Sequence, residues 1–375
     1  MPVTRRHFFR NVAAGAAVTA SLPSLSELAF SELLPGSRAS EAGGPIILSR
    51  NENAYGPSQK VIACMQDALR FANRYPDPAV NALHDRIAQS HSIKPEHLVL
   101  GCGSGEILSI TASSFLGPGK TLITAVPTFE AIARCAKALG AQTVEVLLDK
   151  NYAHDLQAML ARADGSTALV YICNPNNPTA SLTPRNDLEA FIRKLPPTTI
   201  VLLDEAYHHF AAATPEYTSF IDKPMNDDRV IVARTFSKVF GLAGIRVGYA
   251  VGATDKIKAL AARRLPEGLN AVGARAALVA YDDVEYVQMS EKRNAADRQE
   301  FFNQAKARKV QGIPSYANFA MLKTNRPAVE VIDHFKKNNV MIARLFPSMS
   351  NYVRVSFGTP QEMIEFWRVW DLIPA

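Results

Sequence analysis

The segment TIVLLDEAY, residues 199–207, contains the most apolar strand-like run of the chain, and two acidic residues follow that run directly. Further apolar runs lie at residues 98–100, 121–124, 168–172 and 230–233. Strands without polar alternation are typical of a sheet that is buried on both faces, and such sheets are mostly parallel. Helical patterns at residues 129–139 and 187–194 lie between these strands. The sequence therefore predicts an α/β fold with ligands at the carboxyl ends of the strands.

The C-terminal part of the chain has a different pattern. Strand-like segments at residues 318–322 and 352–356 alternate with helical ones at residues 328–338 and 361–370. This order predicts a smaller α+β domain beside a three-layer large domain. The predicted parts of the chain are a leader and tail at residues 1–42, an N-terminal arm that contributes to the small domain at 43–74, the large domain at 75–280 and the small C-terminal domain at 281–375.

Composition limits the possible partners. The chain has 375 residues, 47% of them hydrophobic, which is typical of a globular protein. Its 41 basic and 35 acidic residues leave a net charge of +6 without a dense basic block, so we expect no nucleic-acid partner. No apolar run approaches the roughly 20 residues that span a bilayer, and we expect no stable membrane anchor. The four cysteines form no Cys-x-x-Cys pair, which predicts buried free thiols and no metal site.

The N-terminus has the features of an export signal. Arg5 and Arg6 precede two phenylalanines, and the stretch AAGAAVTA follows at residues 13–20. This order resembles the twin-arginine signal, which predicts export to the periplasm. The alternative is a frayed amphipathic helix that carries two arginines by chance, in which case the protein would stay in the cytoplasm.

Lys238 lies in the segment TFSKVFGLAGIR, residues 235–246, directly after a predicted strand. Apolar surroundings would lower the pKa of its amine and allow that amine to attack a carbonyl. Arg246 follows within the same glycine-containing turn, and its planar guanidinium suits a phosphate. Taken alone, a lysine in such a stretch is more often a surface charge.

Asp204 and Tyr207 follow the strand at residues 199–203. An aspartate at a strand's carboxyl end can keep the nitrogen of a pyridine ring protonated, and the ring then withdraws electrons from a bound substrate. Tyr207, three residues further on, could face the same pocket. The alternative is a helix N-cap followed by an ordinary tyrosine.

Two loops complete the pattern. The segment GCGSGEI, residues 101–107, opens a helix, and the backbone N–H groups there can bind an anion. Its glycine spacing is not that of dinucleotide-binding proteins. The segment CNPNNPTA, residues 173–180, predicts a rigid turn whose Asn side chains can bond a ring oxygen. The alternative is a purely structural turn.

In this order, these segments resemble the fold-type I pyridoxal-phosphate aminotransferases, and among them most the histidinol-phosphate aminotransferase family. The resemblance extends from about Leu48 to Gly358. Four further segments carry it, namely NENAYGP at residues 51–57, RYPDP at 74–78, PTF at 127–129 and VRV at 353–355.

The resemblance implies a role for each matching residue at the cofactor. Lys238 would form the Schiff base with pyridoxal phosphate and then move the substrate proton, and Asp204 would pair with the ring nitrogen. Asn177 and Tyr207 would bond the ring's phenolic oxygen, and Phe129 would stack on the ring. The residues expected to hold the phosphate are Ser104, Gly105, Ser237 and Arg246.

The resemblance also implies a homodimer with shared sites, because Tyr75 would reach the cofactor of the partner subunit. Arg354 would hold the substrate carboxylate, and Tyr55, Asn318 and Arg344 would contact the rest of the substrate.

The sequence departs from the family pattern in four places. Gly105 stands where relatives often have Asp, Ala180 where Gly is usual, and Phe129 where Tyr is more frequent. None of these changes removes a catalytic group. The export signal is the largest departure, because histidine biosynthesis belongs in the cytoplasm and an exported relative would act on something else.

Three hypotheses follow. The first is an aminotransferase that moves an amino group from an amino acid or amino-acid-like amine to a 2-oxo acid. The second is a pyridoxal-phosphate-dependent lyase, decarboxylase or cyclase on the same scaffold, since the orientation of the substrate over the ring selects the bond that breaks. The third is a binding protein that has lost its chemistry, against which the intact Lys238, Asp204, Tyr207 and Arg246 argue.

Overall fold

The computed structural model describes residues 44–374. The predicted export signal lies outside these described residues. Among them, no helix is long and apolar enough to cross a membrane.

A seven-stranded sheet forms the centre of the large domain, in the order β2-β8-β7-β6-β5-β3-β4. All of its strands are parallel except β8, which is antiparallel to both neighbours. The strands of the described chain are β1 (Ile46–Leu48), β2 (Leu98–Gly101), β3 (Thr121–Val126), β4 (Gln142–Leu147), β5 (Thr167–Cys173), β6 (Ile200–Asp204), β7 (Val230–Thr235), β8 (Gly248–Val251), β9 (Phe319–Lys323), β10 (Val340–Ile342) and β11 (Tyr352–Ser356).

Helices cover both faces of this sheet and the outside of the small domain. In chain order they are α1 (Gln59–Ala68), α2 (Asp77–Ser90), α3 (Ser104–Phe115), α4 (Ala131–Ala138), α5 (Leu156–Ala161), α6 (Arg185–Lys194), α7 (His208–Ala211), α8 (Thr254–Ala261), α9 (Ala271–Asp282), α10 (Val284–Ala307), α11 (Ala328–Lys337) and α12 (Pro360–Asp371).

Two separate hydrophobic clusters explain why the strands are apolar throughout. Along β6, Val201 and Leu203 point into one cluster, and Ile200 and Leu202 point into the other. Successive side chains of a strand face opposite sides, so both faces of the sheet are covered. The predicted mostly parallel α/β fold is therefore confirmed.

The small domain is built from both ends of the described chain. Strand β1 pairs in parallel with β10, and β9 pairs antiparallel with β11. A third cluster around Phe335 and Phe366 fills its core. The helix α1, which follows β1, packs against α9 of the large domain. The N-terminal arm therefore contributes to both domains.

The sheet brings the predicted site segments together. Cys173, Asp204 and Ala233 are register partners at the carboxyl ends of β5, β6 and β7, and the turns that follow these strands meet there. Gly248 pairs with both Gly101 and Thr235. A Cβ atom at Gly248 would collide with the backbone at Gly103 and Ser104, so glycine lets the start of α3 approach the end of β7.

The cysteines are free in this structure. Cys173 is buried, as predicted, whereas Cys64, Cys102 and Cys135 are only partly buried. Within the described chain, no group of His, Cys, Asp and Glu side chains is arranged to hold a metal ion.

Candidate active site

A cavity of about 1030 Å³ lies at the carboxyl ends of the central strands, between the large and small domains. Eleven of the residues predicted for the site line it. They are Ser104, Gly105, Phe129, Asn177, Asp204, Tyr207, Ser237, Lys238, Arg246, Arg344 and Arg354. The structure thus unites segments that lie far apart in the sequence.

Lys238 points its amine into this cavity. Its Nζ donates a hydrogen bond to the backbone oxygen of Asn51 at 2.8 Å and lies 5.4 Å from the centre of the Tyr207 ring. Burial lowers the pKa of Lys238 to about 8, and the positive charges of Arg354 and Arg246 act in the same direction. A substantial fraction of the amine is therefore neutral near physiological pH, as a nucleophile requires.

Asp204 is 2% exposed at the end of β6. Its Oδ2 accepts a hydrogen bond from the Tyr171 hydroxyl at 2.8 Å, and its Oδ1 accepts one from the backbone N–H of Ala206 at 3.1 Å. Burial raises the pKa of Asp204 to about 6, although the two hydrogen bonds and Lys238 oppose that rise. Both oxygens are thus fixed, and the carboxylate faces the cavity in one orientation.

Tyr207 and Asn177 line the same cavity as Lys238. The Tyr207 hydroxyl accepts a hydrogen bond from Asn51 Nδ2 at 3.0 Å, and burial raises the pKa of this hydroxyl. Asn177 Oδ1 accepts a hydrogen bond from Arg354 Nη1 at 2.5 Å. Asn51, which bonds both Lys238 and Tyr207, was not among the predicted site residues, although it begins the NENAYGP segment.

Arg246 and the start of α3 form an anion cradle. The guanidinium of Arg246 donates to Ser237 Oγ at 3.4 Å and to the backbone oxygen of Ala243 at 2.9 Å. Gly103 has a φ of +77°, and a Cβ atom there would strike the Arg246 guanidinium. The helix N-terminus, a hydroxyl and a guanidinium therefore converge on one point, as phosphate binding requires.

The turn after β5 is held by side-chain hydrogen bonds. Asn176 accepts from Thr128 Oγ1 at 2.7 Å and donates to Thr179 Oγ1 at 2.8 Å, which ties the turn to the segment that carries Phe129. Ala180 has a φ of +58°, a conformation that favours glycine by about 1 kcal/mol. Its methyl group is fully buried in a cluster with Tyr207 and other apolar residues.

Three predicted residues, Tyr55, Asn318 and Tyr75, do not line the cavity of this chain. The hydroxyl of Tyr55 donates a hydrogen bond to Asp297 Oδ2 at 3.0 Å, and both residues line a separate, smaller pocket. Asn318 Nδ2 donates hydrogen bonds to the backbone oxygens of Asn51 and Glu52, so it holds the backbone of the N-terminal arm in place. Tyr75 is 77% exposed on the surface of this chain.

The comparisons with known proteins agree with this geometry. The family model for aminotransferase class I and II matches residues 44–368. The chain belongs to this family. Histidinol-phosphate aminotransferase from Methylobacillus flagellatus is 36% identical over 88% of both chains. The structure of the Sinorhizobium meliloti histidinol-phosphate aminotransferase in complex with pyridoxal-5'-phosphate is 25% identical, has a TM-score of 0.82, and is matched over 94% of this chain and 100% of that chain.

A third solved structure, of L-threonine-O-3-phosphate decarboxylase from Porphyromonas gingivalis, is 21% identical, has a TM-score of 0.75, and is matched over 87% of this chain and 98% of that chain. At this identity, the likeness shows the fold alone.

As a class I and II aminotransferase, the chain uses pyridoxal phosphate, and the residues of the cavity fit that cofactor. The anion cradle suits its phosphate, the buried Asp204 carboxylate suits a protonated ring nitrogen, and the Lys238 amine suits its aldehyde. Gly103 leaves the space that Arg246 occupies in the cradle. The predictions of the family, the fold, the cofactor and the transamination reaction are confirmed.

We expect Lys238 to capture the cofactor in a pH-dependent reaction. Only the neutral amine attacks the aldehyde, and the pKa of Lys238 is lowered to about 8. The rate of covalent capture by the apoprotein should therefore rise about tenfold per pH unit below pH 8 and level off above it. Stopped-flow absorbance measures this rate, with Lys238→Ala as the control that forms no covalent bond. A rate that keeps rising to pH 10 would contradict the lowered pKa.

We expect Tyr171→Phe to weaken cofactor binding most at low pH. Without the Tyr171 hydroxyl, a buried Asp204 oxygen loses its donor, and the pKa of Asp204 rises above its present value of about 6. The cofactor's dissociation constant should increase about tenfold at pH 6 and little at pH 8.5, since a hydrogen bond to a charged group contributes roughly 1.5–3 kcal/mol. Tyr217→Phe removes another buried hydroxyl, bonded to His208, and serves as the control. An effect independent of pH would argue against this role.

Proposed function

We propose that this aminotransferase takes amino donors that carry a carboxylate, and that Arg354 binds that carboxylate. Arg354 is 9% exposed and lines the cavity that contains Lys238. Its Nη1 and Nη2 donate to Asn177 and to the backbone oxygen of Ser49, whereas its buried Nε has no hydrogen-bond partner within the described chain. A buried N–H without an acceptor is costly, and a substrate carboxylate would supply the acceptor.

The electrostatics of Arg354 support the same proposal. Burial, and to a smaller extent the neighbouring positive charge of Arg344, lowers the pKa of its guanidinium to about 10. The site therefore holds a positive charge that is poorly compensated. A carboxylate bound there gains from the low local dielectric, because its attraction to the guanidinium is weakly screened.

Each of the main residues around the cavity has a separate role in transamination. Pyridoxal phosphate, when bound, supplies a ring that withdraws electrons from the substrate's α-carbon. Asp204 would keep the ring nitrogen protonated, and the hydrogen-bonded pair of Tyr207 and Asn51 lies beside Lys238. Lys238 Nζ is the base that takes the proton from the substrate and returns it. Arg354 fixes the direction in which the substrate lies over the ring.

Decarboxylation and elimination are the second candidate chemistry on this scaffold. A carboxylate held in an ion pair with Arg354 is stabilised as an anion, whereas decarboxylation requires that negative charge to leave the carboxylate. The arrangement thus favours removal of the α-proton. The likeness to a decarboxylase lies in the fold alone, so it gives this second candidate no support from the site.

We expect Arg354→Gln to impair the first half-reaction without releasing the cofactor. Mixing the purified protein with a panel of amino acids and following conversion to the pyridoxamine form measures that half-reaction. Truncating one partner of a buried charge pair costs about 2–5 kcal/mol, so kcat/KM for amino acids should fall at least 30-fold. An amine without a carboxylate should be equally slow with both proteins. Arg368→Gln, on the exposed face of α12, is the control.

Two outcomes would count against the proposal. If no donor of a broad panel converts the cofactor in the unsubstituted protein, this protein does not act on the proposed donors. If Arg354→Gln affects amino acids and simple amines equally, Arg354 does not bind the carboxylate.

We also propose that the protein is a homodimer in which Tyr75 completes the partner's site. Leu69, Phe71 and Tyr75 lie within one short segment, and they are 62%, 36% and 77% exposed. Exposed apolar and aromatic side chains this close together are typical of a surface that a partner covers. Tyr75 also belongs to the RYPDP segment on which the family resemblance rests.

Shared sites predict complementation between two inactive variants. In a mixed dimer of Lys238→Ala and Tyr75→Ala chains, one site contains an intact Lys238 and the partner's intact tyrosine, so activity should return. If each chain used its own Tyr75, both sites would stay defective. Refolding the two variants together and assaying the mixture measures this, and each variant refolded alone is the control.

We further propose that the protein is exported through the twin-arginine pathway. The support is the sequence of residues 5–20, which lie outside the described residues. This pathway carries folded proteins, which suits an enzyme that binds its cofactor before export. Cell fractionation of the unsubstituted protein and of an Arg5→Lys, Arg6→Lys variant tests the proposal, and equal cytoplasmic retention of both would refute it.

A further inference from the structure

An ion pair crosses the mouth of the cavity. Glu130 lies next to Phe129 at the start of α4, in the large domain, and Arg344 follows β10 in the small domain. Arg344 Nη2 and Glu130 Oε1 are 2.6 Å apart, and both residues line the cavity. The pair therefore joins the two domains at the wall of the cavity.

Arg344 is also a neighbour of the proposed carboxylate site. The guanidinium carbons of Arg344 and Arg354 lie 5.0 and 5.4 Å from the centre of the same ring, that of Phe346. The charge of Arg344 also contributes to the lowered pKa of Arg354, as their shared contact with Phe346 leads one to expect. A substrate held at Arg354 would therefore place a second anionic group close to Arg344.

Glu130 already forms an ion pair with this second cation, Arg344. Its Oε1 pairs with Arg344, and its Oε2 accepts a hydrogen bond from Arg134 at 3.4 Å. Each oxygen of the carboxylate thus has its own arginine. A substrate with a second carboxylate or a phosphate would have to displace Glu130 from Arg344, whereas a substrate with an uncharged side chain would leave the pair intact.

We propose that Glu130 is a specificity-determining residue that disfavours substrates with a second anionic group. The proposal rests on the proposed function, in which Arg354 binds the first carboxylate. The preferred donor is then an amino acid with one carboxylate and an uncharged side chain. Glu130 and Arg344 are both about half exposed, so the discrimination is moderate.

The test compares two ligands of equal chain length on the cofactor-loaded protein. Glutarate carries two carboxylates and pentanoate carries one, and titration calorimetry gives a dissociation constant for each. In Glu130→Gln, the constant for glutarate should fall about fivefold, as expected for an exposed ion pair, and that for pentanoate should change less than twofold. This increase in glutarate affinity should become smaller as salt is added, because screening weakens exposed charge pairs.

Two further variants isolate the interaction. Glu145→Gln, on the exposed edge strand β4, removes the same charge elsewhere and should leave the ratio of the two constants unchanged. The double variant Glu130→Gln, Arg344→Gln should not bind glutarate more tightly than the unsubstituted protein, because it lacks the Arg344 cation that the loss of Glu130 exposes. Thermal unfolding of each variant checks that the fold is kept.

The outcomes separate this inference from the proposed function. If both ligands bind and Glu130→Gln leaves their ratio unchanged, Glu130 does not set specificity, and the role of Arg354 is unaffected. If neither ligand binds the unsubstituted protein, the carboxylate site at Arg354 is refuted, and the inference about Glu130 falls with it.

Discussion

The parallel pairing of β5, β6 and β7 is the constraint on which the site depends. It places the ends of three strands at one edge of the sheet, so the turns after Cys173, Asp204 and Thr235 share one space. Burial of both sheet faces fixes the register of these strands, because a shift by one residue would exchange the two hydrophobic clusters. The positions of Asp204 and Lys238 therefore follow from the core.

Burial shifts the pKa values of three ionisable groups of the site. It raises the pKa of Asp204 to about 6 and lowers those of Lys238 and Arg354 to about 8 and about 10. In each case the enclosed site disfavours the charged form. Cofactor and substrate bring the complementary charges, so ligand binding relieves a cost that folding imposes. A ligand that binds only the folded state also stabilises that state.

Sequence patterns identified most of the groups that line the cavity but not those that position them. Lys238, Asp204 and Arg246 lie in segments that are weak signals one by one and become informative through their combination and order. Tyr171 occupies an apolar strand and is indistinguishable there from a core aromatic residue, since its bond to Asp204 exists only once β5 and β6 pair. The pairing of Glu130 with Arg344 likewise depends on how two domains meet. Strand β4 was missed because it is a largely exposed edge strand without a continuous apolar run.

Asn51 shows how the small domain is coupled to the reactive lysine. Its backbone N–H donates to Ser356 Oγ of β11 at 2.8 Å, while its side chain donates to the Tyr207 hydroxyl. Its backbone oxygen accepts from Lys238 Nζ, and also from Asn318 at 3.1 Å. When Lys238 gives up this bond to react, Asn318 still satisfies the buried oxygen, so the arm need not move. The expected substrate residue Asn318 thus acts in this structure through the backbone of the arm, which keeps Asn51 in place while the amine changes partners.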